Sequence, residues 1–320
     1  MKMNRVAWLV LAVVLLALPA AAQNYPARPV KLVNGFPAGG SSDTVARIVA
    51  QKLSEALGQP VPLEIRTGAG GINANDFVAK SPADGYTLIL ITGAYPVQAA
   101  LLKQLPYDPI RDFSFVSTLT FYPFVIAVNP DSPYKNLESL IVGARANPRT
   151  LSYSSAGVGT VHHLSGELFN VMAGTDLLHI PFRGGTAPLT ELLAGRIDVM
   201  FETMTLTLPQ IKAGRLTALA VTSKERSDFL PDVPTAARAM PGYEVSSFLG
   251  LAVAAGTPAP IVERLNREIR KVLDLPDVKQ RLAELGGDAR ASTPEEMRAH
   301  IERESDKWRR LIDLRKIERQ

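Results

Sequence analysis

A glycine- and hydroxyl-rich turn near the start of the chain contains the residue types best suited to holding an anion. The stretch 34–43 (NGFPAGGSSD) follows an apolar run at 30–33 that predicts a strand, and it precedes apolar residues at 45–57 whose spacing predicts a helix. Such a turn exposes backbone N–H groups at the positive end of a helix dipole, and its glycines let an anion approach the backbone. The alternative is a turn that only joins a strand to a helix.

Catalytic chemistry is less well supported than binding. His162 and His163 are adjacent, so on a helix their side chains point about 100° apart, unlike the i, i+4 pair of a metal-binding helix. The sequence contains no GxSxG nucleophile motif and no GxxxxGK[ST] phosphate loop, and the absence of cysteine excludes thiol catalysis and thiolate metal sites. We therefore predict no catalytic residues, no metal site and no cofactor, with an enzyme as the alternative.

The amino-terminal residues have the features of a secretory signal peptide. Lys2 and Arg5 precede an apolar run at 6–18, and an A-x-A cleavage site ends at Ala22. We predict cleavage after residue 22 and an exported protein; a transmembrane anchor is the alternative, although the run is shorter than the roughly 20 residues that usually span a bilayer. Without the two basic residues, 33 basic residues stand against 31 acidic ones, so the charge gives no indication of nucleic-acid binding.

The remaining pattern predicts an α/β protein with two lobes. Short apolar strands alternate with helices, which favours two mainly parallel sheets flanked by helices. We predict that residues 1–22 are the signal peptide, that lobe I comprises 23–122 and 247–320, and that lobe II comprises 123–246. Extended segments near 117–128 and 243–254 would cross between the lobes. That arrangement suits closure of the lobes around a ligand.

Several stretches together resemble the substrate-binding proteins of tripartite tricarboxylate transporters, the Bug family. They follow the family's order over nearly the whole mature chain, and they are YPARPVKLVNGFPAGGSSDTVAR, RTGAGG, DGYTL, LPYDPIRDF, SAGVGTVHHL, PFRGGTAPLTELLAGRIDVMF, LTALAVTSKERSDFLPDVPT, PGYE, GTPAPIVERLN and STPEEM. The resemblance implies a two-lobed periplasmic-binding-protein fold with a small organic anion, typically a carboxylate, in the cleft between the lobes.

The same resemblance implies partners. The ligand would be delivered to a membrane permease of two integral subunits, and we expect a monomer that binds no nucleic acid. Two alternatives remain: an exported enzyme acting on a small carboxylate, and a solute sensor for a signalling partner.

The resemblance also assigns residues to the ligand site. In lobe I, backbone and hydroxyl groups of the first turn would hold a ligand carboxylate, and the residues are Phe36, Ala38, Gly39, Gly40, Ser41 and Ser42. Asp43 would be an N-cap that orients the helix start, because a carboxylate ligand would repel it. In lobe II, a second turn before a helix at about Val161 exposes similar groups, and its residues are Ser154, Ser155, Gly157, Gly159 and Thr160. Two such helix ends could hold both carboxylates of a dicarboxylate, or one carboxylate and another polar group.

Other candidate residues have two interpretations each. Arg183, beside Gly184 in a turn of lobe II, either pairs with a distal ligand carboxylate or is a solvated surface residue. Glu202, where the family usually has an Asp-Asn pair, either recognises a ligand ammonium or caps the next helix. Asn34 and Phe248 also depart from the family pattern and could approach the cleft. These differences leave the ligand open among dicarboxylates, tricarboxylates, amino acids and aromatic acids.

Overall fold

The computed structural model describes residues 25–184, 186–315 and 317–319, so the predicted signal peptide at 1–22 lies outside the described residues. The strands are β1 (Lys31–Asn34), β2 (Leu63–Ile65), β3 (Thr87–Thr92), β4 (Phe113–Val128), β5 (Ser152–Ser155), β6 (Leu178–Pro181), β7 (Val199–Thr203), β8 (Thr217–Val221), β9 (Ser246–Ala254) and β10 (Asp288–Ala289). The helices are α1 (Ser41–Leu57), α2 (Ile72–Ala79), α3 (Ala94–Leu101), α4 (Leu137–Ala146), α5 (Val161–Ala173), α6 (Ala187–Leu193), α7 (Met204–Lys212), α8 (Ala259–Asp274), α9 (Pro276–Glu284) and α10 (Pro294–Arg315). Within this part of the chain, none of the helices combines the length and apolar character needed to cross a membrane.

The strands form two sheets that share β4. The first sheet has the order β2-β1-β3-β9-β4, with β10 also paired to β4, and the second continues from β4 through β7 and β5 to β6, with β8 on β4. β1 pairs in parallel with β2 and β3, and β5 pairs in parallel with β6 and β7, whereas the pairings of β4 and β9 are antiparallel. The sheets are therefore mixed rather than mainly parallel, because the long strand that connects them runs against its neighbours.

The change from one sheet to the other occurs at a single point on β4. The pairing of β4 with β9 ends at Pro123 opposite Ser246, and its pairing with β7 begins at Phe124 opposite Thr203. Phe248 lies just beyond this point on β9. Its buried ring packs against Phe121 and His300, so it belongs to the hydrophobic core rather than to the cleft.

Apolar clusters cover both faces of each sheet. On the first sheet, α1, α8 and α9 pack on one face, and α2 and the start of α10 pack on the other. On the second sheet, α6 and α7 cover one face, and α4, α5, α3 and the last turns of α10 cover the other. Leu101 of α3 and Trp308 of α10 are buried in this second cluster, so two helices from the chain segments predicted for lobe I also pack on the second sheet.

Candidate ligand-binding site

A cavity lies between the two sheets, at the point where four helices begin. Each of α1, α3, α5 and α7 directs its amino-terminal end toward this space. The lining residues are Phe36, Gly40, Ser41, Ser42, Thr92, Gly93, Ala94, Tyr122, Ala156, Thr160, Val161, His162, Gly184, Glu202, Thr203, Leu206 and Ser247. The sequence had predicted the ends of α1 and α5 here, and the structure adds those of α3 and α7.

The turn before α1 is held by the first residues of the helix itself. The helix begins at Ser41, so Gly40 occupies the N-cap position, and no side chain caps it there. Asp43 is therefore not the N-cap that we predicted. Instead it lies in the first turn, and its Oδ2 accepts hydrogen bonds from the Gly39 N–H at 2.9 Å and from Arg47 Nε at 2.9 Å. The carboxylate fixes the turn from behind and does not line the cavity.

Asn34 supports the same turn from the end of β1. Its side chain is fully buried and does not line the cavity. Oδ1 accepts a hydrogen bond from the Phe36 N–H at 3.2 Å and one from the Ser42 hydroxyl at 3.3 Å. Asn34 thus holds both ends of the stretch 36–42 that carries the predicted anion contacts, and Asp43 holds its middle at Gly39.

The turn before α5 contributes fewer cavity residues than the sequence predicted. Thr160 is the N-cap of α5: its Oγ1 accepts from the His163 N–H at 3.4 Å and donates to the Gly157 carbonyl at 2.6 Å. Ser155 Oγ lies 2.7 Å from His179 Nε2 on the neighbouring strand β6. A Cβ added to Gly159 would face α3 rather than the cavity. Only Thr160 of this turn's predicted residues lines the cavity.

The predicted site residues fall into three groups. Seven line the cavity, namely Phe36, Gly40, Ser41, Ser42, Thr160, Gly184 and Glu202. Three line an adjoining cleft that also reaches Phe36, namely Ala38, Gly157 and Arg183. The remaining four lie in neither space, namely Gly39, Ser154, Ser155 and Gly159.

Sequence reasoning missed several residues that line the cavity. They are Thr92, Gly93 and Ala94 at the start of α3, Tyr122 and Ser247 on the crossing strands, and Ala156, Val161, His162, Thr203 and Leu206. One signal was available: the strand at 87–92 ends in Thr-Gly, the same strand-to-glycine pattern that identified the first turn. The two adjacent histidines have different surroundings: His162 lines the cavity, whereas His163 is buried and stacks on His179 with ring centroids 4.3 Å apart.

Glu202 and His162 form a buried pair at one side of the cavity. His162 Nε2 donates to Glu202 Oε1 at 3.0 Å, and the same oxygen accepts from the Thr203 N–H at 2.7 Å and from the Thr203 hydroxyl at 2.8 Å. Burial favours the protonated acid, but the interactions with His162 and Thr203 outweigh it and lower the pKa of Glu202. The carboxylate thus bonds the backbone at the start of α7, although Thr203 occupies the N-cap position.

Two loops approach each other over the cavity. A Cβ built on Gly184, after β6, would lie 3.1 Å from Pro37 Cδ and 3.3 Å from Phe36 Cδ1 of the turn before α1. A Cβ on Gly39 would lie 3.4 Å from Thr186 Cγ2. The absence of side chains at these two glycines therefore lets the lobes come together.

The chemistry available in the cavity is that of anion binding without a cationic side chain. None of the described residues that line it is lysine or arginine. Backbone N–H groups at helix starts carry partial positive charge, and the Ser41 hydroxyl adds a donor at the start of α1. The hydroxyls of Ser42 and Thr160 already donate to Asn34 and to the Gly157 carbonyl. A carboxylate is the group that such an arrangement holds best.

Comparison with known proteins agrees with this geometry. A family model described as the tripartite tricarboxylate transporter family receptor matches residues 45–317. Protein BugT of Bordetella pertussis is 35% identical over 300 residues, which are 93% of this chain and 92% of BugT.

Solved structures agree as well. One R. palustris protein, solved with adipate, has 34% sequence identity and a TM-score of 0.88, with 91% of this chain and 98% of that chain covered. MatC from Rhodopseudomonas palustris, solved with malate, has 33% identity and a TM-score of 0.85, with 90% and 100% covered. The chain therefore belongs to the family of tripartite tricarboxylate transporter receptors, which are periplasmic solute-binding proteins rather than enzymes.

Proposed function

We propose that this protein captures a small organic acid in the cavity between its lobes and delivers it to a membrane permease of two integral subunits. The observation that carries the proposal is the convergence of four helix starts on one cavity, with the Ser41 hydroxyl at the start of α1. Relatives solved with adipate and with malate support a carboxylate as the ligand. The protein would act as a monomer, after export and removal of residues 1–22.

Capture proceeds by closure of the lobes. We place their boundary at 122/123 and 246/247, which is supported by the change of partner on β4 between Pro123 and Phe124. A ligand that contacts the start of α1 in one lobe and the start of α5 in the other does so only when the lobes are closed. Binding therefore shifts the population toward the closed form, which is the form that docks on the permease.

A thermal-shift screen of residues 23–320 against organic acids and their amides and methyl esters tests this function. A ligand at 100 times its dissociation constant adds about 2.7 kcal/mol to the free energy of unfolding, which raises the melting temperature measurably. We expect stabilisation by free acids and not by the neutral analogues. Equal stabilisation by an ester would show that the carboxylate is not recognised.

The variant Gly40→Val tests whether the start of α1 binds the carboxylate. Gly40 has φ −76° and ψ 171°, a conformation that valine adopts easily, so the fold is expected to persist. The added side chain would block approach to the N–H groups of α1, and we expect binding of the best acid to be lost. Retention of the affinity would exclude the start of α1 as the anion site.

A further inference from the structure

One oxygen of Glu202 accepts no hydrogen bond from the residues that the structure describes, although Glu202 lines the cavity. The residue is 3% exposed, and its Oε1 accepts all three of the hydrogen bonds that the described residues donate to this carboxylate. Oε2 accepts none from them, although Glu202 lines the cavity. Oε2 is therefore the oxygen left to accept from a ligand in the cavity, and such a bond would offset part of the cost of holding the carboxylate away from water.

His162 bonds only one of the two oxygens of Glu202. The Nε2 of His162 already donates to Oε1, and its Nδ1 is buried without a hydrogen-bond partner among the described residues. The pKa of Tyr122 is raised by burial and further by the charge of Glu202.

Glu202 also changes which helix starts are free to bind an anion. It accepts the Thr203 N–H at 2.7 Å, so the amino-terminal end of α7 already faces the chain's own carboxylate. A ligand carboxylate placed there would meet Glu202 with no lysine or arginine in the described lining to offset the repulsion. The starts of α1, α3 and α5 remain for ligand carboxylates.

Building on the proposed function, we propose that the ligand is a carboxylate that also carries a hydrogen-bond donor, an ammonium or a hydroxyl group, and that Glu202 Oε2 accepts from that donor. The ligand class is therefore amino acids or hydroxy acids rather than unsubstituted mono- or dicarboxylates. Glu202 is the residue that determines this specificity, and His162 positions it.

The test compares ligands that differ in one substituent. Ligand-free protein, prepared by unfolding, dialysis and refolding, is titrated calorimetrically with three series: propionate, lactate and alanine; succinate, malate and aspartate; glutarate, hydroxyglutarate and glutamate. In the series that binds, we expect the hydroxy acid or the amino acid to bind at least about tenfold more tightly than the unsubstituted acid. Whichever of these two substituted acids binds more tightly shows whether the donor to Glu202 is a hydroxyl or an ammonium group. An unsubstituted acid that binds as tightly as its substituted partners would overturn the inference.

Glu202→Gln provides a second test with nearly unchanged side-chain shape. The neutral amide cannot form a charge-assisted bond, so we expect the preference for the amino acid over the unsubstituted acid to fall about tenfold. Glu167→Gln is the matched control. Glu167 lies on α5 like His162, but it does not line the cavity, and it accepts a hydrogen bond from the Tyr153 hydroxyl at 2.6 Å. The ligand preference of this variant should equal that of the parent protein. An unchanged preference in Glu202→Gln would refute the assignment.

The two proposals fail in distinguishable ways. If no acid of any series binds to protein that has refolded cooperatively, and the thermal-shift screen, extended to tricarboxylates and aromatic acids, also gives no stabilisation, anion capture itself is wrong. If acids bind but substitution with a donor brings no gain, the proposed function stands and only the role of Glu202 is refuted.

Discussion

At the residue scale, Asp43 shapes the anion-binding turn without lining the cavity. Its carboxylate accepts the Gly39 N–H, and Gly39 has a φ of +81°, in the left-handed region. We expect Asp43→Ala to weaken binding of the best carboxylate about tenfold, because the turn loses its anchor. The free energy of unfolding should fall by about 1 to 2 kcal/mol, as for loss of a helix-end hydrogen bond. Calorimetric titration and urea unfolding measure the two effects.

Arg47→Ala is the control for this prediction. Arg47 contacts the same carboxylate oxygen at 2.9 Å, and its own side chain is 59% exposed whereas that of Asp43 is 4% exposed. The variant should keep its affinity to within about twofold, because the bond from the Gly39 N–H to Asp43 remains in place. Equal losses in the two variants would mean that the ion pair, not the bond to Gly39, organises the site.

At the residue scale, the sequence predicted only some of the hydroxyl groups that line the cavity. Ser41 and Ser42 were identified because the strand, turn and helix that place them are contiguous in sequence. Ser154 and Ser155 were misplaced, because their orientation at the end of β5 depends on β6, where His179 contacts Ser155. The pairing of Glu202 with a residue forty positions earlier is a tertiary contact that no local pattern reports.

At the element scale, the loop after β6 must come close to the turn before α1. An added Cβ on Gly184 would lie 3.1 Å from Pro37 Cδ, and the φ of Gly184 is +78°. Gly195 has a similar φ of +68°, but nothing lies within 4 Å of its added Cβ. Alanine at either position should lower the free energy of unfolding by about 1 kcal/mol through backbone strain. Only Gly184→Ala should also weaken ligand binding, by about tenfold or more, because it holds the two loops apart.

Calorimetric titration of both variants decides this prediction. Binding that is weakened equally in Gly184→Ala and Gly195→Ala would attribute the loss to strain rather than to hindered closure. Small-angle scattering with saturating ligand adds a direct measure, since the Gly184 variant should remain more extended than the parent protein.

A single asparagine connects α8 to the strand that the two sheets share. Asn266 Nδ2 donates to the Val116 carbonyl at 2.7 Å and to the Ser292 carbonyl at 2.7 Å. Asn266→Ala removes both bonds, and we expect the free energy of unfolding to fall by about 2 to 3 kcal/mol. Asn147→Ala is the control, because its side chain donates to the Gly143 carbonyl at an exposed site. Urea unfolding of both variants should show a much smaller loss for Asn147→Ala; similar losses would contradict the structural role of Asn266.

The helix α3 and the strand β4 show why the sequence predicted the helices and strands only incompletely. The helix at 94–101 was missed, because seven of its eight residues are buried and a helix that is apolar on all sides has no amphipathic period. A proline usually excludes a central strand position, yet β4 continues through Pro123 as one strand of 16 residues. Pro123 is accommodated because it lies where β4 changes from one sheet to the other.

At the scale of the whole molecule, the two-lobed organisation followed from the order of strands and helices, but the assignment of helices to lobes did not. α10 contributes Met297 and Ile301 to the first sheet's cluster and Trp308 and Ile312 to that of the second. The periodicity of a helix shows which side is apolar and not which sheet that side will contact. Only the tertiary packing distinguishes a helix within one lobe from one that spans both.

Burial of three histidines should make the stability of the whole protein depend on pH. Desolvation lowers the pKa of His163, His179 and His300 to about 4 each, against the usual 6.5. Between these values the unfolded chain binds protons that the folded protein excludes. The free energy of unfolding should therefore fall as the pH drops from 7 to 5, on the order of 1 to 2 kcal/mol for each histidine. Carboxylates with lowered pKa, such as Asp108, reduce the free energy of unfolding further only below about pH 4.

His300→Leu isolates one third of this effect. The imidazole packs edge-on against Phe121 and Phe248 at 5.2 and 4.5 Å between ring centroids, and its buried Nε2 has no hydrogen-bond partner among the described residues. Leucine keeps the apolar packing and removes the titration, so the variant should be at least as stable as the parent at pH 7. Urea unfolding at pH 7, 6 and 5 should show that the free energy of unfolding of His300→Leu falls by about two thirds as much as that of the parent protein. A parent protein equally stable at pH 7 and pH 5 would mean that the buried histidines take up protons without opposing the fold.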